Sequence, residues 1–328
     1  MILSYKNWFF DKIRLLSVLS PGRLINYSLI IVGYSLSRLF KKTILIGYPF
    51  SLSFETSSVC NLSCPQCPAG RKETKRTSSF IKKEIVTGCL KEFQKKSFYT
   101  NLYLQGEPLL NPELPDLIKK AKALHYYTFV STNGTLVTKD MAKNLVNSGL
   151  DKIIISVDGI RQSTYSFYRK KGDLEVVKRG IQNIISARKS LKKRNPLVVM
   201  QFLVNKENER EISDLGAFAK NLMIDQLNLK SMQIYDHRED FLPGIKRYNR
   251  YYKKKRKNNG ACFRLWSHLV LTSDGVCIPC CYDKIPSHSF SKESHGYMSI
   301  WKSEAFNDFR EKTIKNRKAI DICSNCDE

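Results

Sequence analysis

From position 49 onward, short apolar runs alternate with longer stretches whose apolar residues recur at helical spacing. The period-two and continuous apolar runs predict strands at 51–56, 101–104, 127–131, 152–157, 197–203 and 226–230. Between them the 3.6-residue pattern predicts helices over about 81–95, 113–124, 138–147, 174–190 and 208–221. Strands separated by helices pair in parallel, because each crossover needs a dozen or more residues. The expected fold class is therefore α/β, either barrel-like or doubly wound. No internal repeat is visible.

Residues 1–48 read differently, as a basic helical segment. The longest uncharged run, 24–37, has 14 residues and includes Asn26, Ser28, Ser35 and Ser37. That is too short and too polar to span a bilayer. A helix packed on the main domain is the preferred reading, with an interfacial helix flanked by Arg23, Arg38, Lys41 and Lys42 as the alternative. The N-terminus lacks the basic, apolar and small-residue succession of a secretory signal, which predicts a cytoplasmic protein, peripheral to the inner membrane face if those helices touch lipid.

Apolar residues make up 42% and charged residues 26% of the 328, which argues against disorder and leaves room for a full core and an appendage. The net charge of +25 changes the picture, since it predicts an anionic partner or a solvated, lysine-rich surface. The densest basic cluster is Lys246, Arg247, Arg250 and the run 253–257, in a segment 236–259 that reads as a linker or exposed helix. The basic residues are scattered and show no regular interleaving with aromatics, and nucleic acid is the less favoured partner.

Ten cysteines could indicate a disulfide scaffold, but their layout disagrees. Three fall within 60–67, six within 262–326, and Cys89 stands alone in a helical pattern, where it reads as a small buried hydrophobe. Tight clusters in a long chain read as metal sites. The first is Cys60-Asn-Leu-Ser-Cys64-Pro-Gln-Cys67. Three thiolates can each bind one iron of a cubane and leave the fourth iron open for a small molecule. Structural zinc would want a fourth ligand, and the nearest downstream histidine is His125.

The loops after the next strands carry Gln105-Gly-Glu-Pro, Thr132-Asn-Gly, Asp158-Gly and Asn205. Singly, each is a turn. In succession they mark the face where parallel α/β folds build active sites.

The three-cysteine motif directly after the first strand resembles the signature of the radical S-adenosylmethionine (SAM) superfamily. That resemblance implies a partial (β/α)6 barrel over 49–235, a 4Fe-4S cluster on Cys60, Cys64 and Cys67, and SAM chelating the open iron. It further implies that an electron from the reduced cluster, supplied by a donor such as flavodoxin or ferredoxin, cleaves SAM to a 5′-deoxyadenosyl radical that abstracts hydrogen from substrate. Gly106, Glu107 and Pro108 resemble the motif that holds the SAM amino group, with Gln105 replacing its first glycine. Asn133, Ser156 and Asp158 match positions that line the SAM ribose or substrate, and Arg169 matches an arginine that pairs with the SAM carboxylate. Gln66 stands where many members carry an aromatic residue.

The second cysteine group, Cys262, Cys277, Cys280, Cys281, Cys323 and Cys326, resembles a SPASM or twitch domain, the auxiliary iron–sulfur module of such enzymes, over residues 260–328. The resemblance implies a small α+β domain that closes over the barrel mouth. It assigns Cys262, Cys280, Cys323 and Cys326 to a second 4Fe-4S cluster, with Cys281 or Cys277 as alternates. A four-cysteine zinc ribbon is the competing reading of the same residues. His268 is a candidate substrate-facing group, and Tyr103 and Tyr235 are candidates for the barrel mouth. His237, His288 and His295 show no ligand spacing.

Three functions follow. The preferred one is radical modification of a peptide or protein side chain, a substrate class common among SPASM-bearing relatives. Residues 1–48 are too few for a full peptide-recognition domain. The second is oxidation or rearrangement of a small molecule such as a sugar, nucleotide or aminoglycoside-like compound. The third is a non-enzymatic zinc or iron–sulfur protein that binds nucleic acid.

Overall fold

The structure, a computed structural model, describes residues 1–234, 239–252, 260–290, 296–324 and 326. The chain opens with helices α1 (Tyr5–Ser17) and α2 (Pro21–Phe40), then enters strand β1 (Ser51–Phe54). There follow α3 (Lys83–Glu92), β2 (Tyr99–Asn101), α4 (Leu114–Ala123), β3 (Tyr127–Thr132), α5 (Lys139–Asn147) and β4 (Lys152–Ser156). The unit continues with α6 (Gln162–Tyr168), α7 (Leu174–Ser190), β5 (Leu197–Val204), α8 (Leu215–Asn221) and β6 (Gln226–Ser231). After α9 (Arg264–Ser267) come β7 (His268–Leu271) and β8 (Cys277–Ile278), then α10 (Tyr297–Lys302), α11 (Glu304–Asn316) and α12 (Asp321–Ser324).

Strands β1 to β6 lie in sequence order and every neighbouring pair is parallel. This is a partial barrel. Its central strands are apolar on both faces, as Ile153, Ile155, Val198 and Met200 illustrate, because the barrel interior and the helical layer each need covering. The helices start where side chains replace missing backbone acceptors: Thr138 caps α5 by accepting from Met141 N, and Asp173 caps α7 by accepting from Glu175 N and Val176 N.

Four departures from the sequence-based expectation have physical causes. Strand β2 lies two residues earlier than 101–104, because the chain turns away after Leu102 to reach Gly106. The helix expected over 208–221 shortens to α8 behind a single 3-10 turn, Glu209–Glu211. Asn208 there donates to the carbonyls of Asp158 and Leu203, and so fixes a loop where a helix would otherwise begin. Helix α6 was not expected. Its apolar stripe is short, and it starts at Arg161 without a side-chain cap.

The C-terminal segment departs most. A small α+β domain closing over the barrel mouth was the expectation, which did not include its joining the main sheet: β7 pairs in parallel with β1 and β8 then runs antiparallel to β7. Trp266 Nε1 donates to Ile44 O and Trp301 Nε1 to Gly47 O, both at 3.1 Å, tying this segment to the chain between α2 and β1. The Glu92 carboxylate caps α10 by accepting from Tyr297 N and Met298 N. Most of the 236–259 linker's basic run, together with Tyr235, His237 and His295, lies outside the described residues.

Candidate active site

The loops at the C-terminal ends of β1 to β5 meet on one face. The β1 loop carries the three cysteines, and the loop after β2 crosses beneath it. Gly106 makes that crossing possible: its φ is +61°, and a Cβ there would lie 2.3 Å from Ser57 O and 2.7 Å from Val59 O. Glu107 N then donates to Val59 O at 2.8 Å, locking the two loops together. Gly70 does the same from the other side, where a Cβ would sit 2.7 Å from both Cys64 N and Cys64 O.

The Glu107 carboxylate is buried and accepts three hydrogen bonds, from Leu109 N (3.1 Å), Thr132 Oγ1 (2.6 Å) and Asn133 N (2.7 Å). Burial pushes its pKa above the ordinary glutamate value, against the pull of those bonds and of nearby Arg169. A carboxylate offers about four acceptor positions, so one remains. Pro108 follows as the first residue of a buried 3-10 turn that Glu107 caps. Replacing Glu107 with alanine would leave three buried donors without an acceptor. At roughly 1 kcal/mol or more per orphaned group, Glu107→Ala is expected to lower stability by about 3 kcal/mol. A denaturation midpoint within error of the unsubstituted protein's would refute that role.

Around the thiols, N–H groups converge. Leu62 N donates to Cys60 Sγ at 3.4 Å, Asn133 Nδ2 to Cys60 Sγ at 3.9 Å, and Arg169 Nη1 to Cys64 Sγ at 3.9 Å. Cys67 Sγ lies 3.9 Å from Gln105 Oε1. Burial raises the Cys60 pKa and pushes that of Cys64 up to about 11, so both thiols stay protonated unless a cation takes the proton's place. Arg169 Nε also binds Asp158 Oδ2 at 2.6 Å, while Leu203 N donates to Asp158 Oδ1. Burial works against the Arg169 charge, but Asp158 and Cys64 hold its pKa well above the usual arginine value. Ser156 ends β4, is buried, and lies two residues before Asp158. Asn205 is fully buried, and its Nδ2 has no partner among the described residues.

Sequence reasoning missed one element of this framework. Glu55, directly after β1, is wholly buried and paired with Arg76 (Nε–Oε2 2.6 Å, Nη2–Oε1 3.3 Å), and it also accepts from Ser273 N. This pair clamps both ends of the cysteine loop to the β7–β8 turn. No local motif marks either residue.

The C-terminal cysteines differ in their surroundings. Burial pushes Cys280 well above the thiol range, reinforced by the neighbouring thiols of Cys281, Cys262 and Cys323. Burial raises Cys262, with Arg317 opposing and Cys326 reinforcing, and raises Cys323 to about 11 with the same guanidinium opposing. Arg317 Nη2 donates to Cys326 Sγ at 3.2 Å. Cys262, Cys323 and Cys326 thus surround the Arg317 guanidinium, and Cys280 lies near Cys262 and Cys323. Cys277 does not join them: it is buried in β8, pushed up to about 12 by burial, with Arg310 as its charged neighbour and Cys89 nearby in the core. Cys281 has Arg264 as a further neighbour, whose Nη1 reaches its Sγ at 3.7 Å.

A cavity of about 300 Å³ is lined by Cys280 and Cys281 of the second cysteine group and by Gln105, which Cys67 of the first group reaches at 3.9 Å. Arg264, Lys284 and His268 are among the polar groups on its wall. Tyr103 lines it as well, its pKa pushed up to about 12 by burial and by Cys281. His288 lies elsewhere, bonded to Asp321 at 2.6 Å.

The geometry and the sequence relationships agree on the class. The family described as the radical SAM superfamily matches residues 54–219, just over half of the chain, and the chain belongs to it. The iron–sulfur cluster-binding SPASM domain matches residues 262–327. The radical SAM core binds a 4Fe-4S cluster and SAM, and the C-terminal domain binds auxiliary iron–sulfur clusters. Fe-coproporphyrin III synthase of Methanosarcina barkeri is 30% identical over 153 residues, covering 47% of this chain and 36% of that protein. PqqA peptide cyclase of Gluconobacter oxydans is 26% identical over 200 residues, covering 60% and 54%. The chain therefore spans a third to about half of these two relatives. Among solved structures, Streptococcus suis SuiB bound to SAM shares the fold with a TM-score of 0.61 and 12% identity, covering 89% of this chain and 75% of that one.

Proposed function

We propose that this radical SAM enzyme modifies a peptide or protein side chain inserted into the cavity between its two iron–sulfur sites. The cavity carries this reading. At about 300 Å³ it sits at the small end of ligand pockets, a volume suited to one side chain with its backbone left outside. A relative named as a peptide cyclase supports the same class. The lining cations Arg264 and Lys284 favour a substrate with an anionic group, and Arg250 steadies this wall by donating to Gln233 Oε1 and Tyr282 OH.

Bound together, the cluster and SAM supply a 5′-deoxyadenosyl radical able to remove hydrogen from an unactivated carbon. The chain's residues hold, orient and shield. Cys60, Cys64 and Cys67 fit three irons of a cubane, since their thiols are free and N–H donors already face Cys60 and Cys64. Gly106, Glu107 and Pro108 form the cradle for the SAM amino group, at the acceptor position Glu107 has left. Arg169, anchored by Asp158, faces the SAM carboxylate. Asn133 and Ser156 border the ribose, and the unpartnered Asn205 Nδ2 is a donor awaiting a ligand there. Cys262, Cys280, Cys323 and Cys326 hold one auxiliary 4Fe-4S cluster, with Arg317 offsetting its charge. A flavodoxin or ferredoxin is the fitting electron donor.

The test is anaerobic incubation of the reconstituted protein with SAM, dithionite and acidic peptides. Peptide-dependent release of 5′-deoxyadenosine with a mass change in the peptide is expected. Stimulation by sugar phosphates or nucleotides, and by no peptide, would replace this reading with the small-molecule one, which the same two cations would serve.

A further inference from the structure

The two N-terminal helices are inside out. In α2 the buried positions are Arg23, Asn26, Ile30, Gly33 and Ser37, so three of the five are polar. The Arg23 guanidinium donates to the carbonyls of Val18, Gln94, Leu124 and His125 at 2.6–3.1 Å. Asn26 bonds Tyr48 N, Tyr48 O and Lys96 O, and Ser37 bonds Gly33 O and Ile44 N. In α1 the one buried residue is Asp11, which accepts from Tyr127 OH and pairs with Arg14 and Lys152. These polar contacts hold both helices to the body beside a smaller apolar set that includes Leu15, Ile30 and Tyr34.

Most of their large apolar residues face outward instead. Tyr5, Phe9, Ile13 and Leu16 recur at the spacing of one face of α1, and Leu24, Ile25, Ile31, Val32 and Leu39 do so on α2. Tyr5 is 72% and Leu39 71% exposed. Of nineteen large hydrophobic side chains exposed among the described residues, twelve lie within positions 1–40. A surface helix normally shows the reverse arrangement, and an apolar patch of this extent marks a contact surface.

We infer that the outward face of α1 and α2 docks on an anionic lipid surface. Charge selects this occupant. Residues 1–48 hold seven basic residues and one acid, and the acid is the buried Asp11. Lys6, Arg38, Lys41 and Lys42 are exposed around the apolar stripes. Aromatic and aliphatic side chains bordered by cations are what an interfacial helix presents to acidic headgroups. The helices lie on the membrane and do not cross it. No single helix among the described residues is long and apolar enough to span; α1 and α2 reach that length and composition only as a pair, which is bent by 92° and bonded to the barrel through its inner faces.

The test uses the full chain and vesicles of phosphatidylcholine with or without phosphatidylglycerol. Co-sedimentation is expected with the anionic vesicles only, weakening as salt rises. Binding should also shift Trp8 fluorescence to the blue, since Trp266 and Trp301 are buried and Trp8 is not. The triple variant Phe9→Ser, Ile25→Ser, Leu39→Ser should lose about tenfold or more in vesicle affinity while keeping its thermal midpoint, because all three side chains are exposed. Lys41→Glu with Lys42→Glu should abolish the preference for anionic lipid. The proposal is overturned if the unsubstituted protein ignores anionic vesicles, if the triple variant binds them equally well, or if the same substitutions instead dissociate a dimer. Vesicle binding is read without substrate, so its failure leaves the proposed chemistry untouched, and the reverse also holds.

Discussion

Cys64→Ala is expected to reduce SAM cleavage to the level of a no-enzyme control. The thiol is the most enclosed of the three, 5% exposed, with Gly70 pressed against its backbone and Arg169 facing its sulfur. A cubane bound through two thiolates has lost a third of its protein anchors at the site where SAM must chelate. Removing one small buried group costs the fold only about 1 kcal/mol, so the variant should purify folded. Iron should fall from about eight to about four per chain, the auxiliary site remaining loaded. Undiminished 5′-deoxyadenosine from this variant would show that the loop is not the cleavage site.

The second large effect separates two adjacent residues. Cys280→Ala should lower iron from about eight to about four per chain, whereas Cys281→Ala should leave about eight. The reason is the neighbours each thiol keeps. Both line the cavity, but Cys280 lies near Cys262 and Cys323, while Cys281 is reached by Arg264 Nη1. With Cys280→Ala, SAM cleavage without substrate should persist and substrate turnover should stop. Cys281→Ala should keep its iron and change turnover only through the cavity wall. The opposite iron counts would exchange the assignments.

The two domains were legible in the sequence through their cysteine patterns. The three cysteines sit within eight residues after a strand, and the parallel strands announced themselves through Ile153-Ile154-Ile155 and Leu197-Val198-Val199-Met200, which no helical period explains. What was illegible depended on pairing over long separations. Glu55 with Arg76, and both with the turn near Ser273, form a clamp from residues that each look like ordinary surface charges. The attachment of β7 to β1 joins positions more than two hundred residues apart, and a four-residue strand carries no label naming its partner. Sequence left Cys277, Cys280 and Cys281 as competing ligands because spacing alone does not say which way a thiol points. In the structure Cys277 belongs to the core strand β8. The apolar run in α2 was visible, but its outward direction was not, since packing apolar residues inward is the ordinary outcome. Arg23, Asn26 and Ser37 reverse it by taking up backbone carbonyls and an amide of the barrel and its entry loop.

The most direct test is low-temperature electron paramagnetic resonance of the dithionite-reduced Cys280→Ala protein, recorded with and without SAM. Three cysteine ligands and one exchangeable iron predict a reduced-cluster spectrum whose shape changes when SAM is added. A spectrum indifferent to SAM, or no cluster signal in an oxygen-free preparation, would contradict an open iron at Cys60, Cys64 and Cys67.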